Sequence, residues 1–230
     1  DIIGLVQTAL VSGVKPAAIG AAITRAAGQR LARFSLSNDT SDWFNSQHTF
    51  IYCNAVHQAV RRASVCDVVR ALFPAAIAVY MDRYLNMPPA KLPSETDGDQ
   101  MMIGAEDRDS MLLDELLSSL DNRREIEKTA NIVSSYLKTP FSNWFSHLGK
   151  LVDTLAFATL REDLDFHCLQ VLEAALTQAL IRGCDNGTEE IMVGAARNLA
   201  AHCPTQRARY QTETIARRLQ RDEDLFLDSQ

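Results

Sequence analysis

The stretch HTFIYCNAVHQAV, residues 48–60, is apolar on most of its circumference when wound at the helical period, and so is LDFHCLQVLEAALTQAL, residues 164–180. A helix that is apolar nearly all round belongs in the middle of a bundle, because a surface helix keeps one polar face. These two segments therefore predict an all-α fold, a single bundle of about eight to ten helices around a central buried pair.

Working outward, the same period recurs along the chain. Residues 2–11 form a short apolar segment that stops at Ser12-Gly13, and Pro16 suits the first turn of a helix running to about Phe34. A helix over 43–62 follows, then one over 65–86 capped by Ser64 and kinked or divided at Pro74, whose ring removes a backbone hydrogen bond. Helices resume over 109–120 and 122–137. Thr139-Pro140 marks the start of the helix 141–160, and Asp163 that of 164–182, which Gly183 closes. Thr188 opens a helix to His202, and Pro204 opens the last, to about Gln220. Between them, residues 88–108 carry three prolines, two glycines and many acids, and read as an irregular acidic loop, either a lid or a loose surface segment. No alternating strand pattern and no solenoid repeat interrupts this reading, and nothing divides residues 1–230 into two domains.

Composition narrows the class of function. The hydrophobic fraction of 47% and charged fraction of 23% are those of an ordinary globular chain. No apolar run reaches the roughly 18 residues that a membrane span needs, so no membrane partner is expected. Asp1 to Gly4 lack the basic start of a signal peptide and read as the trimmed end of a longer sequence. Net charge is −6, and residues 91–140 hold 11 acidic against 6 basic side chains, which argues against nucleic acid as a partner. The one basic cluster, Arg207, Arg209, Arg217, Arg218 and Arg221, runs into Asp222, Glu223 and Asp224 and reads as a solvated helix face. The five cysteines are odd in number, widely spaced and without a CxxC, so they read as thiols of a reducing, cytoplasmic compartment.

Polar residues inside the apolar helices need partners, since an unpaired buried polar group costs on the order of 1–3 kcal/mol. His57, Asn54, His167, Gln170 and Glu173 are such residues. One account is an internal hydrogen-bond network. The other is a metal site, because inward-facing His and Glu are the usual ligands in helical bundles and neutral imidazole suits iron, copper and zinc. All five histidines, His48, His57, His147, His167 and His202, lie in or at the ends of predicted helices. The Glu-x-x-His pairs of a carboxylate-bridged di-iron centre are absent. His48 and His57 are nine residues apart and face opposite sides of a continuous helix, so both serve one site only if that helix is broken between them.

Three stretches carry a family resemblance: Asp42-Trp43 with His48-Thr49-Phe50, Tyr52 and Asn54-Ala55-Val56-His57-Gln58; Leu160-Arg161-Glu162-Asp163 with Phe166-His167 and Leu172-Glu173-Ala174; and Leu199-Ala200-Ala201-His202 with Pro204-Thr205-Gln206-Arg207. Together they resemble a bacterial helical family often labelled Rieske (2Fe-2S) protein and, more distantly, the questin oxidase-like family, helical enzymes that oxidise and open aromatic polyketide rings. Phe145-Ser146-His147-Leu148-Gly149 and Asp165-Phe166-His167 are similar in order to segments of the latter. The resemblance implies His48, His57, His147, His167 and His202 as metal ligands. The histidine spacings depart from that family's pattern, and the paired Cys-x-His motifs of a Rieske cluster are missing, so no such cluster belongs to this chain.

The expectation is a metal-dependent oxidoreductase or oxygenase with one non-haem metal, iron, in a histidine-lined pocket. Asn54, Gln170 and Glu173 would support the ligands, and Trp43, Tyr52 and Phe166 would supply aromatic walls. It would act on an aromatic or other small organic substrate, with an electron-donor domain or protein and a homo-oligomer as further partners. Two rivals stand beside it: a non-catalytic helical interaction or scaffold domain with structural histidines, and an alkylhydroperoxidase-like enzyme. Leu5 to Ala27 is similar to the latter's helix pairs, but its redox CxxC is missing.

Overall fold

The computed structural model describes residues 1–63, 65–93 and 105–221. In chain order the helices are α1 (Ile2–Val11), α2 (Pro16–Ala32), α3 (Trp43–Arg62), α4 (Cys66–Arg70), α5 (Leu72–Met81), α6 (Ala105–Leu120), α7 (Ile126–Leu137), α8 (Trp144–Arg161), α9 (Phe166–Arg182), α10 (Asn186–His202) and α11 (Ala208–Gln220). Turns of 3-10 helix occupy Thr40–Asp42 and Asp82–Asn86. Among the described residues there is no strand, and the fold is all-α. Ser64, residues 94–104 of the acidic loop, and Asp222, Glu223 and Asp224 lie outside the described residues.

The predicted helix 65–86 is divided into α4, α5 and a 3-10 turn. Pro74 sits in the first turn of α5, where an N–H has no acceptor within its own helix. No helix among the described residues is long and apolar enough to cross a membrane.

One cluster of buried side chains runs from Val6 to Cys203 and is the core. Its centre differs from the expected pair. In α3 the inward face, Phe50, Cys53, Val56 and Val60, is buried as expected. Helix α9, by contrast, leaves Phe166, Leu169 and Leu180 exposed. The central position belongs to α10, in which every residue from Ile191 to Ala200 is buried, and which packs on α2, α7 and α9. Small side chains make this possible. A Cβ on Gly194 would lie 3.0 Å from the Ala32 nitrogen and 3.2 Å from the Gly28 oxygen, so α2 and α10 meet almost backbone to backbone. Glu189, Glu190, Arg197 and Asn198 give α10 the look of a half-polar surface helix, yet Arg197 is fully buried.

Several helix starts are displaced from their sequence signals by neighbouring polar residues that cap better. Asn143, not Thr139, caps α8 by accepting from the Ser146 amide at 3.1 Å. Thr139 instead donates to Asp109 at 2.7 Å. Asp185 caps α10, accepting from the Thr188 amide at 2.8 Å. Asp165 caps α9, and Asp163 reaches across to α11, accepting from the Ala208 and Arg209 amides at 2.7 and 3.0 Å. Helix α11 accordingly begins at Ala208 rather than Pro204, after a non-helical link over 203–207. The buried Glu162 carboxylate holds that link, accepting from the Thr205 amide at 2.6 Å, the Thr205 hydroxyl at 2.7 Å and Arg207 Nε at 2.6 Å.

Candidate metal centre

His48 on α3 and His167 on the first turn of α9 face one another across the helix pair, with their Nε2 atoms 3.2 Å apart and their rings nearly perpendicular at 82°. The position of His167 follows from the cap: Asp165 accepts from the His167 amide at 2.9 Å and so sets the start of α9. On the other side of its ring, His167 Nδ1 lies 3.2 Å from Gln170 Oε1. An amide oxygen only accepts, so Nδ1 carries the proton, and Nε2 accepts a hydrogen bond from His48 Nε2.

A buried polar tie lies beside the pair. Gln47 Nε2 donates to Asn198 Oδ1 at 2.7 Å, and both amides point a donor at Cys168 Sγ, at 3.8 and 3.9 Å. Gln47 adjoins His48 and Cys168 adjoins His167, so this tie fixes the spacing of α3, α9 and α10 where the imidazoles meet. Burial pushes the Cys168 thiol up to about 12, which keeps it neutral and makes it a poor ligand or nucleophile at neutral pH.

Phe44, one turn before His48, has three imidazoles around its ring. Its ring lies 6.4 Å from that of His48, 6.1 Å from His167 and 6.5 Å from His202. His202 Nδ1 donates to the Asn198 carbonyl at 2.8 Å, and its Nε2 is buried with no hydrogen-bond partner.

The other two histidines are held elsewhere. His57 is 2% exposed, and Gln178 Nε2 donates both to His57 Nδ1 at 3.0 Å and to Asn54 Oδ1 at 2.7 Å. The unbroken α3 places His57 inward and His48 outward, the opposition that their nine-residue spacing implies. His147 is stacked between Tyr136, with ring centroids 4.2 Å apart, and Phe141, at 5.1 Å. Its Nε2 donates to the Tyr136 carbonyl at 3.1 Å and its Nδ1 is 3.5 Å from Asp109, a clamp joining α6, α7 and α8. Of the supporting residues, Gln170 meets His167, Asn54 belongs to the His57 network, and the exposed Glu173 accepts from the Thr177 hydroxyl at 2.8 Å. Trp43 is buried against Phe34, Tyr52 is exposed, and Phe166 adjoins His167 with ring centroids 4.0 Å apart.

Burial holds His57 below its ordinary value of 6.5, with Arg61 and Arg182 adding to the effect. The unfolded chain therefore takes up a proton near pH 6.5 that the folded chain refuses, so stability is full above that pH and falls below it. The limiting slope is about 1.4 kcal/mol per pH unit. Urea denaturation on either side of pH 6.5 should show this loss in the wild type, and His57→Gln should remove it. Equal slopes in the two proteins would mean that His57 is not kept neutral by the fold.

Two imidazoles on one first-row ion at about 2.0–2.1 Å hold their nitrogens about 2.9–3.4 Å apart for bond angles between right-angled and tetrahedral. The His48–His167 separation of 3.2 Å falls in that range. Among the described residues no three or more His, Cys, Asp or Glu side chains form a group that could hold a metal ion. The residues thus fit a two-imidazole bite whose remaining positions are left to solvent or substrate. Phe44, Gln47 and Asn198 were not signalled as site residues by the sequence. Only the four-residue spacing of Phe44 and His48 on one helix face hinted at the first.

Compared with known proteins, the chain matches no family model, no curated protein and no solved structure.

Proposed function

We propose that the chain is a metal-dependent oxidoreductase of the non-haem iron type, acting on an aromatic or other small organic substrate at the paired imidazoles of His48 and His167. The observation that carries this reading is the 3.2 Å approach of the two Nε2 atoms, with Gln170 fixing the His167 tautomer. The resemblance of the same segments to the questin oxidase-like family supports it. Bound iron would supply a Lewis acid able to activate dioxygen or polarise a phenolic oxygen. The protein's own part is positional. Gln170 aims the lone pair of His167, and the Gln47–Asn198–Cys168 tie holds the two helices at a fixed separation. The exposed Phe44 and Phe166 flank the imidazoles with apolar surface against which an aromatic ring can lie. Electrons would come from a separate donor domain or protein, and the five free thiols suit a reducing compartment.

A second reading, a helical interaction domain, is favoured by the hydrogen bonds that satisfy His57 and His147 and by the lack of a third converging ligand among the described residues. Metal content after anaerobic reconstitution with iron(II) separates the two. The oxidoreductase reading expects close to one iron per chain, lost in His48→Ala/His167→Ala. Gln170→Ala, which leaves both ligands in place, should weaken iron binding by about 10–100-fold. A wild-type chain that retains no iron would overturn the metal reading and leave the interaction domain.

A further inference from the structure

A cleft of about 580 Å³ opens where the α2–α3 connection, the α6–α7 turn and the end of α10 meet. Neither His48 nor His167 lines it, so it is separate from the imidazole pair. Its walls include Leu36, Trp43 and Ile126, and its rim carries Arg123 and Arg124. We propose that this cleft binds a small aromatic carboxylate, with the two guanidinium groups on the carboxylate and the ring against Trp43 and Ile126.

Four features point this way. Its size lies within the roughly 300–1,000 Å³ of small-molecule sites. Arg123 and Arg124 have no ion-pair or hydrogen-bond partner among the described residues, whereas Arg161 and Arg207 nearby are committed to Asp121. Two guanidinium groups on one cleft offer the planar donor forks that match a carboxylate. Arg124 also adopts a left-handed backbone, φ 68°, a conformation that asparagine or glycine takes more readily. Finally, His202 lies in the wall with its Nε2 buried and unpartnered, an acceptor suited to a hydroxyl carried on the ring. One acid, Asp39, also lines the cleft. Two arginines against one aspartate leave the lining net positive, which favours a monoanion over a dianion or a cation.

The test needs no metal. The full chain is titrated calorimetrically with 1-naphthoate and with its neutral counterpart 1-naphthamide, which share one ring system and differ in charge. Naphthoate should saturate at one site per chain, with naphthamide about tenfold weaker or more, because a charge-assisted pair is worth about 1.5–3 kcal/mol. The double variant Arg123→Gln/Arg124→Asn should lose that preference and bind both compounds alike, with an unchanged thermal midpoint, since asparagine accepts the left-handed turn. Inorganic phosphate, which carries charge without a ring, should compete only weakly. Equal affinity for acid and amide, unchanged naphthoate binding in the variant, phosphate binding as tight as naphthoate, or no saturation at millimolar concentration would each overturn the proposal.

Discussion

Replacing Arg197 with methionine is expected to lower the free energy of unfolding by about 1–3 kcal/mol, the cost of leaving a buried backbone carbonyl without its donor. Arg197 is fully buried in the middle of α10 and reaches three separate segments. One guanidinium nitrogen donates to the Ala32 carbonyl. The other donates to the Lys91 carbonyl at 2.6 Å and to Glu127 Oε2 at 2.5 Å. Ala32 is the last residue of α2, so its carbonyl has no acceptor role left within the helix and depends on a donor from outside. Methionine fills much of the volume but donates nothing, which strands the buried Ala32 carbonyl, while water can reach the carbonyl of the exposed Lys91. Glu127→Gln should cost far less, because that carboxylate is 44% exposed and water can replace its partner. Urea denaturation of the three proteins measures the difference. A loss under about 1 kcal/mol for Arg197→Met would mean that water enters and satisfies the Ala32 carbonyl.

The second large effect is expected at Gly194. Substitution by valine should cost about 3 kcal/mol or more, above the 1–3 kcal/mol of ordinary overpacking, because the obstacle is backbone. Already the Cβ would stand 3.0 Å from the Ala32 nitrogen and 3.2 Å from the Gly28 oxygen, so α2 must move as a unit. The same helix supplies the Ala32 carbonyl to Arg197. Displacing it therefore weakens that contact as well, and the two substitutions should not be additive. Gly149→Ala provides the contrast: nothing lies within 4 Å of its added Cβ on α8, and alanine in a helix interior is preferred over glycine by about 0.5–1 kcal/mol. Denaturation midpoints that fall for Gly194→Val and rise for Gly149→Ala would bear out the close α2–α10 crossing. A tolerated Gly194→Val would contradict it.

The sequence by itself determined that this chain is helical and where most helices run. Periodicity is a property of consecutive residues, and Pro16, Pro74 and Gly183 act on the backbone next to them. It also determined that His48 and His57 face different ways, since that follows from the helical turn alone. Helix ends were less legible. Asp163 and Asp165 are equally good caps in isolation, and only the arrival of α11 beside Asp163 assigns them to different helices. The choice of α10 over α9 as the central helix was a tertiary outcome too. Apolar content favoured α9, but closeness of approach depends on which small residues meet, and Gly194 finds Gly28 from far along the chain. The candidate site was divided by the same cause. Five histidines looked alike in helical segments, and the packing of α3, α9 and α10 brought His48 and His167 together across 119 positions with His202 nearby. It gave His57 to Gln178 and His147 to Tyr136. Which partner each imidazole finds is decided by residues distant in sequence, and no local pattern carries that information.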